Sequence, residues 1–220
     1  MSCCTTDGAN KFFSKGAKRY AKTFLKKGPD KASTHLILLL TRCGIASKSV
    51  LDIGCGVGGV HLTLLKNGAS SATGTDVAEG MLAKAKELAA TMGFTDKVRY
   101  FHGDVAAANG SIPSADIVVL DKVLCCSDDP DTLITKSTEK CREFYAVSYP
   151  RGTTLARMAF RIPERLGTLM RWSFHPYYYE PALLDDTIRR SGFEEASAAT
   201  TVIWQVKVFR RKGSNVNVEY

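Results

Sequence analysis

A glycine-rich turn directly after a short apolar run offers the clearest chemistry in the chain. The run covers residues 50–53, and the turn reads Gly54-Cys55-Gly56-Val57-Gly58-Gly59. Glycine tolerates positive φ and has no Cβ, so such a turn lets the backbone approach a bound ligand. Asp52 lies two residues before the first glycine. Its carboxylate would repel a pyrophosphate but would suit a ligand that carries an amine or sulfonium charge.

Three further acids end later apolar runs. Asp76 follows Asp52 by 24 residues, at the position where a carboxylate accepts hydrogen bonds from ribose hydroxyls. Asp104 could accept from an adenine amino group, beside the backbone N–H of Val105, and Asp121 would face the reacting centre. A single Asp after a strand often caps a turn. Four of them in register with the glycine turn indicate one ligand site.

The elements that must hold these acids alternate between strands and helices. Predicted strands cover residues 50–53, 72–75, 98–102, 117–120 and 144–149, with helices at 60–67 and 78–92. This order predicts a doubly wound, mostly parallel α/β sheet with right-handed crossovers. After a helix at 181–190, runs at 195–200 and 202–210 follow too closely for a crossover helix. They predict an antiparallel hairpin at one edge of the sheet.

The formal charge of +8 belongs to the first fifth of the chain. Residues 1–49 hold ten lysines and arginines against two acids, and the remainder holds twenty of each sign. Residues 10–27 predict a basic amphipathic helix ended by Gly28-Pro29, and Asp30 or Ser33 could cap a second helix. This segment could be a solvated face, a lid over an anionic ligand, or a weak contact with a membrane surface. We divide the chain into a helical lid at 1–48, a main domain at 49–212 and a tail at 213–220.

An insertion at about 151–179 separates the last parallel strand from the helix at 181–190. Arginines and apolar residues alternate along it, and Pro163 predicts a break into two short helices. Because it leaves the carboxyl edge of the sheet, where ligands of open α/β sheets bind, it could be a substrate cap. A membrane-surface patch and a packed structural subdomain are the other interpretations.

Four segments together resemble the motif series of class I S-adenosylmethionine-dependent methyltransferases: LDIGCGVGG, GTDVAEGML, FHGDV and ADIVVLDKVL. The resemblance runs from about residue 50 to 210 and implies a seven-stranded Rossmann-like sheet. Within this superfamily, the chain is most similar to magnesium-protoporphyrin O-methyltransferases. That similarity lies in KRYAKTFLKKGPDK, DKVLCCSD, SFHPYYYE and WQVKVFRR.

The resemblance implies S-adenosylmethionine as cofactor, with S-adenosylhomocysteine as product. In this chain Met81 would lie on the adenine, and Tyr20 could close over the cofactor. The full set of expected cofactor contacts is Tyr20, Asp52, Gly54, Cys55, Gly56, Gly58, Asp76, Val77, Met81, Asp104, Val105, Asp121 and Lys122.

Residues near the insertion are the candidates for acceptor chemistry. His175 could be a general base for a hydroxyl or thiol, whereas a carboxylate acceptor would need none. Asp121 is the second candidate catalytic residue. Arginine suits planar carboxylates, so we expect a small or medium-sized anionic acceptor, with a carboxylate, hydroxyl or thiol as the reacting group. The expected substrate contacts are Arg157, Arg161, His175, Tyr177 and Tyr178.

Two other functions stay open. An RNA or protein methyltransferase could dock through the basic N-terminal helix, and RNA binding would then depend steeply on salt. Against nucleobase methylation, Asp121-Lys122-Val123-Leu124 stands where an Asn/Asp-Pro-Pro-aromatic tetrapeptide is typical. A non-enzymatic nucleotide-binding protein is the other alternative, and both Asp52 and the closing hairpin argue against it.

Composition sets the outer limits of these hypotheses. A chain of 220 residues with 45% hydrophobic and 24% charged residues is typical of one globular domain. Seven cysteines, an odd count, predict free thiols in a reducing compartment, and no ligand spacing indicates a metal. Without a recognisable signal peptide or membrane span, we expect a cytoplasmic monomer or homodimer that acts on a small molecule rather than nucleic acid.

Overall fold

In the computed structural model, which describes residues 6–105, 112–170 and 172–213, the apolar runs form one seven-stranded sheet. Its spatial order is β3-β2-β1-β4-β5-β7-β6, and β7 alone runs in the opposite direction to the other six strands. The closing hairpin and the mostly parallel sheet are therefore confirmed. The strands are β1 (Ser49–Ile53), β2 (Ser71–Asp76), β3 (Val98–His102), β4 (Ala115–Asp121), β5 (Cys141–Pro150), β6 (Phe193–Thr200) and β7 (Trp204–Arg211).

Helices cover both faces of the sheet because its central strands are apolar on both sides. Along β4, Ile117 and Val119 join the core with α1 to α4, whereas Val118 and Leu120 join the core with α5 and α7. The helices are α1 (Thr6–Lys27), α2 (Lys31–Arg42), α3 (Gly59–Lys66), α4 (Glu79–Thr91), α5 (Pro130–Glu139), α6 (Thr154–Leu169) and α7 (Pro181–Arg190).

Two parts of the fold differ from the sequence prediction. Pro163 does not divide the insertion, because α6 runs unbroken through it. Proline deprives one carbonyl of its helical partner, and on a surface helix such as α6 water can take that partner's place. The sequence reading also missed α5, although Asp129 caps it and Pro130 occupies its first turn.

Parallel pairing brings the strand-ending acids to one edge. Asp76 pairs with His102 across β2 and β3, and Asp121 pairs with Ser148 across β4 and β5. Since β1 lies between β2 and β4, the glycine turn after Ile53 opens at the same edge. The topology therefore builds the predicted ligand edge.

Helix α1 is attached to this edge through the first turn of α4. Its Ser14 and Asn10 side chains accept hydrogen bonds from the backbone N–H groups of Gly80 and Glu79, at 3.0 and 3.3 Å. These bonds satisfy the first turn of α4, which has no capping side chain of its own. No helix in the described part of the chain is long and apolar enough to cross a membrane.

The first turn of α1 tolerates only glycine at position 8. A Cβ at Gly8 would lie 1.8 Å from the carbonyl oxygen of Ser173. Although alanine is the better helix former by about 1 kcal/mol, we predict that Gly8→Ala lowers the free energy of unfolding by about 1–3 kcal/mol through overpacking.

Urea unfolding measures this change, and Gly152→Ala is the matched control. A Cβ at Gly152 would meet its nearest atom, in Pro181, at an ordinary 3.8 Å. A Gly8→Ala variant as stable as the wild type, or more stable, would contradict the close approach of α1 to Ser173.

Candidate active site

A cavity of about 590 Å³ lies between the carboxyl edge of the sheet and the N-terminal helices. The strand ends form one wall of this cavity, and α1 forms another. The predicted cofactor residues that line it are Tyr20, Asp52, Gly54, Cys55, Gly56, Asp76, Val77, Met81, Asp104, Val105, Asp121 and Lys122.

The Asp76 carboxylate is fixed by backbone donors on two sides. Its Oδ2 accepts from Gly56 N and its Oδ1 from Ala78 N, each at 2.8 Å. Burial raises the pKa of Asp76, and the two backbone hydrogen bonds act in the opposite direction. Each oxygen retains a lone pair, so the carboxylate can still accept from a vicinal diol such as the ribose of a nucleoside.

The three predicted glycines of the turn have different reasons to be glycine. Gly56 lines the cavity, and a Cβ there would meet no atom within 4 Å. Its φ of +53° is a conformation that favours glycine. At Gly54 a Cβ would lie 2.6 Å from Val123, and at Gly58 it would lie 2.9 Å from the His61 ring. Gly58 does not line the cavity, and there the prediction of a cofactor contact has no support from the structure.

The buried carboxylate of Asp52 has a partner, His61, that the sequence analysis did not assign to the site. Nδ1 of His61, on α3, lies 2.8 Å from Oδ2 of Asp52, and neither side chain is more than 2% exposed. Nε2 of His61 lies 3.0 Å from the hydroxyl of Tyr100, which donates its own proton to the carbonyl of Ala85.

These contacts form one buried polar chain from Asp52 through His61 and Tyr100 to the carbonyl of Ala85. Burial raises the pKa of Asp52, and the hydrogen bond with His61 opposes that rise.

Asp121 lies at the centre of a second polar network. Its two oxygens accept from Ser33 Oγ and Ser148 Oγ, each at 2.5 Å, and from Lys122 Nζ at 2.9 Å. Lys122 Nζ also donates to Asp30 at 2.7 Å. Since Asp30 caps α2 and Ser33 belongs to it, this network joins the second helix to the end of β4.

Lys122 occupies a strained position in that network. Its φ of +63° is rare for a residue with a Cβ, and its backbone N–H donates to Ser148 Oγ. Burial lowers the pKa of Lys122, but Asp121 and Asp30 outweigh burial and raise it overall. The lysine therefore stays charged between two carboxylates, and the trio carries one net negative charge. Sequence reasoning gave Asp30 a capping role only.

Much of the apolar lining comes from α1, α4 and the loop after β3. Phe13, Tyr20 and Phe24 line it from α1, opposite the buried side chains of Met81 and Val105. The prediction missed Phe13 and Phe24, because aromatic residues on an amphipathic helix are more often core. Burial raises the pKa of the Cys55 thiol well above its usual value, which keeps it neutral.

The predicted substrate residues do not line this cavity. His175 is buried against Gly167 of α6, where a Cβ on that glycine would lie 2.7 Å away, so its placement does not support the predicted general base. Tyr177 stacks on Tyr179 and donates its backbone N–H to Cys125. Tyr178 is buried as well.

The two predicted substrate arginines already have an acidic partner. Arg157 and Arg161 lie 3.1 and 3.6 Å from the Glu180 carboxylate, and both guanidinium groups lie over the ring of Tyr178. The expectation that they grip an acceptor thus has no support from the structure. The missed signal was Glu180, which stands directly after the tyrosine run.

Comparisons with known proteins agree with this geometry. Residues 50–143 match the family described as a methyltransferase domain. "Protein arginine N-methyltransferase 1" of Saccharomyces cerevisiae is 35% identical over 72 residues, which are 33% of this chain and 20% of that relative. The chain thus matches only a fifth of that relative's length.

Solved structures show the same fold over most of the chain. Magnesium protoporphyrin IX methyltransferase (ChlM) from Synechocystis PCC 6803 with bound SAH aligns with a TM-score of 0.71 at 17% identity, over 93% of this chain and 98% of that chain. An S-adenosylmethionine-dependent methyltransferase from Mesorhizobium loti gives a TM-score of 0.66 at 17% identity, over 83% and 99%.

Residues 50–143 therefore match a methyltransferase domain, and the chain has the Rossmann-like fold of these solved methyltransferases. The predicted fold is confirmed, and the family match agrees with the predicted class and cofactor. At 17% identity, the likeness to the ChlM structure concerns the fold and leaves the acceptor to be argued from this chain's own residues.

The His61–Asp52 pair gives the sharpest prediction at this site. Truncating His61 to alanine leaves a buried carboxyl group without its partner, which typically costs about 3–5 kcal/mol of stability. We expect His61→Ala to lower the free energy of unfolding by that amount. Adding Asp52→Asn to His61→Ala should cost much less than Asp52→Asn alone, because the two side chains act as a unit.

Chemical denaturation of the four proteins in this cycle measures the coupling. His102→Ala is the matched control, since His102 is about half exposed and its partners are the carbonyl of Val77 and the exposed carboxylate of Glu79. If the Asp52 and His61 substitutions changed the free energy of unfolding independently, the two side chains would not act as a unit.

Proposed function

We propose that this protein transfers the methyl group of S-adenosylmethionine to a small acceptor molecule inside the cavity under α1. One observation carries the proposal. The Asp76 carboxylate is held by Gly56 N and Ala78 N beside the only turn glycine whose missing Cβ leaves open space. A nucleoside diol on Asp76 would place the rest of the cofactor along Gly56 and the end of β1.

The charge of the cavity supports a cationic cofactor. Six carboxylates and two lysines line it: Asp30, Asp52, Asp76, Asp104, Asp121, Asp128, Lys27 and Lys122. Asp52 pairs with His61, and the other carboxylates still outnumber the lysines, so the described lining is acidic. S-adenosylmethionine supplies a sulfonium-activated methyl group, and an acidic lining attracts such a ligand and repels a pyrophosphate.

The residues near the reacting centre favour alignment over proton removal. Asp121 already accepts three hydrogen bonds, so it serves as a fixed negative charge rather than as a base. His175 lies outside the cavity lining. Holding two reactants in line and excluding water can itself supply most of the acceleration in such a substitution. An acceptor that is already ionised, or a thiol of low pKa, fits a site of this kind.

Support for an anionic acceptor now rests on other residues than those predicted. Arg157 and Arg161 pair with Glu180, which leaves Lys27 at the cavity and the lysines of α1 around it as the cations that an anionic acceptor would meet. The same basic helix favours an RNA or protein acceptor as the second candidate function.

Binding of S-adenosylhomocysteine tests the proposed cofactor site. We expect the wild type to bind it with micromolar affinity by calorimetry, and Asp76→Ala to bind at least about tenfold more weakly, because charge-assisted hydrogen bonds contribute about 1.5–3 kcal/mol. Asp96→Ala, which removes an exposed Asp outside the cavity, should bind like the wild type.

The nicotinamide dinucleotide NAD is the competing ligand in the same experiment. If the wild type bound NAD and not S-adenosylhomocysteine, the proposed activity would be wrong. If Asp76→Ala bound S-adenosylhomocysteine as tightly as the wild type, the proposed role of Asp76 would be wrong. The proposed cofactor would still be supported.

A further inference from the structure

Helix α6 exposes an apolar face that no described residue covers. Of the residues of α6, only Ala156 and Gly167 are buried, whereas Leu155 is 59% and Leu169 is 80% exposed. We call this face the α6 patch; its members are Leu155, Met158, Ile162, Leu166, Leu169 and Met170. Through Leu169 they follow one another at three or four residues, so they share one side of the helix.

A stripe of arginines runs beside the α6 patch. Arg157, Arg161 and Arg165 are spaced four residues apart, and Glu164 is the single acid within α6. Glu180 is shared by two of these arginines, Arg157 and Arg161. An apolar face flanked by arginines, on a helix of low mean hydropathy, is the pattern of helices that lie in the plane of a membrane surface.

The apolar surface continues from α6 onto α1. Trp172, just after α6, is 43% exposed, and Phe12 of α1 is 54% exposed while it stacks on Phe174 with 5.0 Å between the ring centroids. Helix α1 carries seven lysines and arginines against one acid, Asp7. Aromatic and basic side chains therefore meet at the end of the α6 patch, which suits the headgroup region of an anionic bilayer.

We propose that the α6 patch, with Phe12 and Trp172 at its end, binds the surface of a membrane that contains anionic lipids. Arg165 and the basic α1 helix would contact lipid phosphates, and the apolar side chains would enter the boundary of the acyl chains. Phe12 lies on the side of this surface, whereas its neighbour Phe13 lines the cavity. One helix thus joins membrane contact to the cofactor site.

Charge favours a membrane surface over a second copy of the chain as the partner of the α6 patch. Two α6 patches placed face to face would bring two arginine stripes of the same sign together, which is unfavourable. An acceptor molecule held in the cavity is also excluded as the occupant, because no member of the α6 patch lines the cavity.

Vesicle co-sedimentation of the full chain tests the proposal. We expect binding to phosphatidylcholine vesicles that contain phosphatidylglycerol, weaker binding to pure phosphatidylcholine vesicles, and loss of most binding at high salt. Leu169→Ser should reduce the partition coefficient about fivefold or more, since it removes a side chain that would enter the acyl region. Leu38→Ser, at a 48% exposed leucine on α2, is the charge-neutral control and should leave binding unchanged.

Three results would overturn the proposal. The first is a wild type that does not bind the anionic vesicles. The second is binding that Leu169→Ser and Leu38→Ser leave equally intact, which would assign it to the basic charge of α1 alone. The third is a dimer in sedimentation velocity that Leu169→Ser dissociates, without vesicle binding, because the α6 patch would then be covered by a second copy.

Discussion

A carboxylate can be buried at low cost only if other groups hydrogen-bond to it or share its charge. This protein buries Asp52 and Asp76 and nearly buries Asp121 at one edge of a parallel sheet. Each depends on partners from elsewhere: Asp52 on α3, Asp76 on the backbone of two loops, and Asp121 on α2 and β5. The carboxyl edge of the sheet and the helices around it are therefore one structure.

The N-terminal helices show this dependence most clearly. Ser33 and Asp30 complete the network of Asp121 and Lys122, while Ser14 and Asn10 complete the first turn of α4. The division of the chain into a lid at residues 1–48 and a main domain stays a prediction. If these helices move during a reaction cycle, they must break these hydrogen bonds, and such gating motions often set turnover rates. Binding of a partner to the basic surface of α1 would then change how readily these helices move away from the cavity.

The sequence was most informative where a single physical rule decides the outcome. Alternating apolar runs and short connections sufficed for the sheet and its hairpin, and strand-ending acids with glycines sufficed to locate the cavity at the carboxyl edge. The prediction was wrong at Pro163 because water can replace a missing helical bond at a surface, which a local rule about proline ignores. It also missed α5, whose capping pair Asp129 and Pro130 was visible in the sequence.

Roles that depend on distant partners were beyond local patterns. No local signal paired His61 with Asp52, because Tyr100 and Ala85 complete that network from other elements. Arg157 and Arg161 resemble substrate ligands until Glu180 is placed beside them. The tail at 213–220 lies almost wholly outside the described residues.

The central claim is that one acidic cavity under α1 holds S-adenosylmethionine with its ribose on Asp76 and its sulfur near Asp121. A crystal structure of the protein with S-adenosylhomocysteine tests it most directly. The account predicts both ribose hydroxyls within hydrogen-bond distance of the Asp76 carboxylate, the ligand backbone along Gly56, and α1 closed over the adenosine. A ligand that contacts neither Asp76 nor Gly56, or one bound outside this cavity, would contradict it.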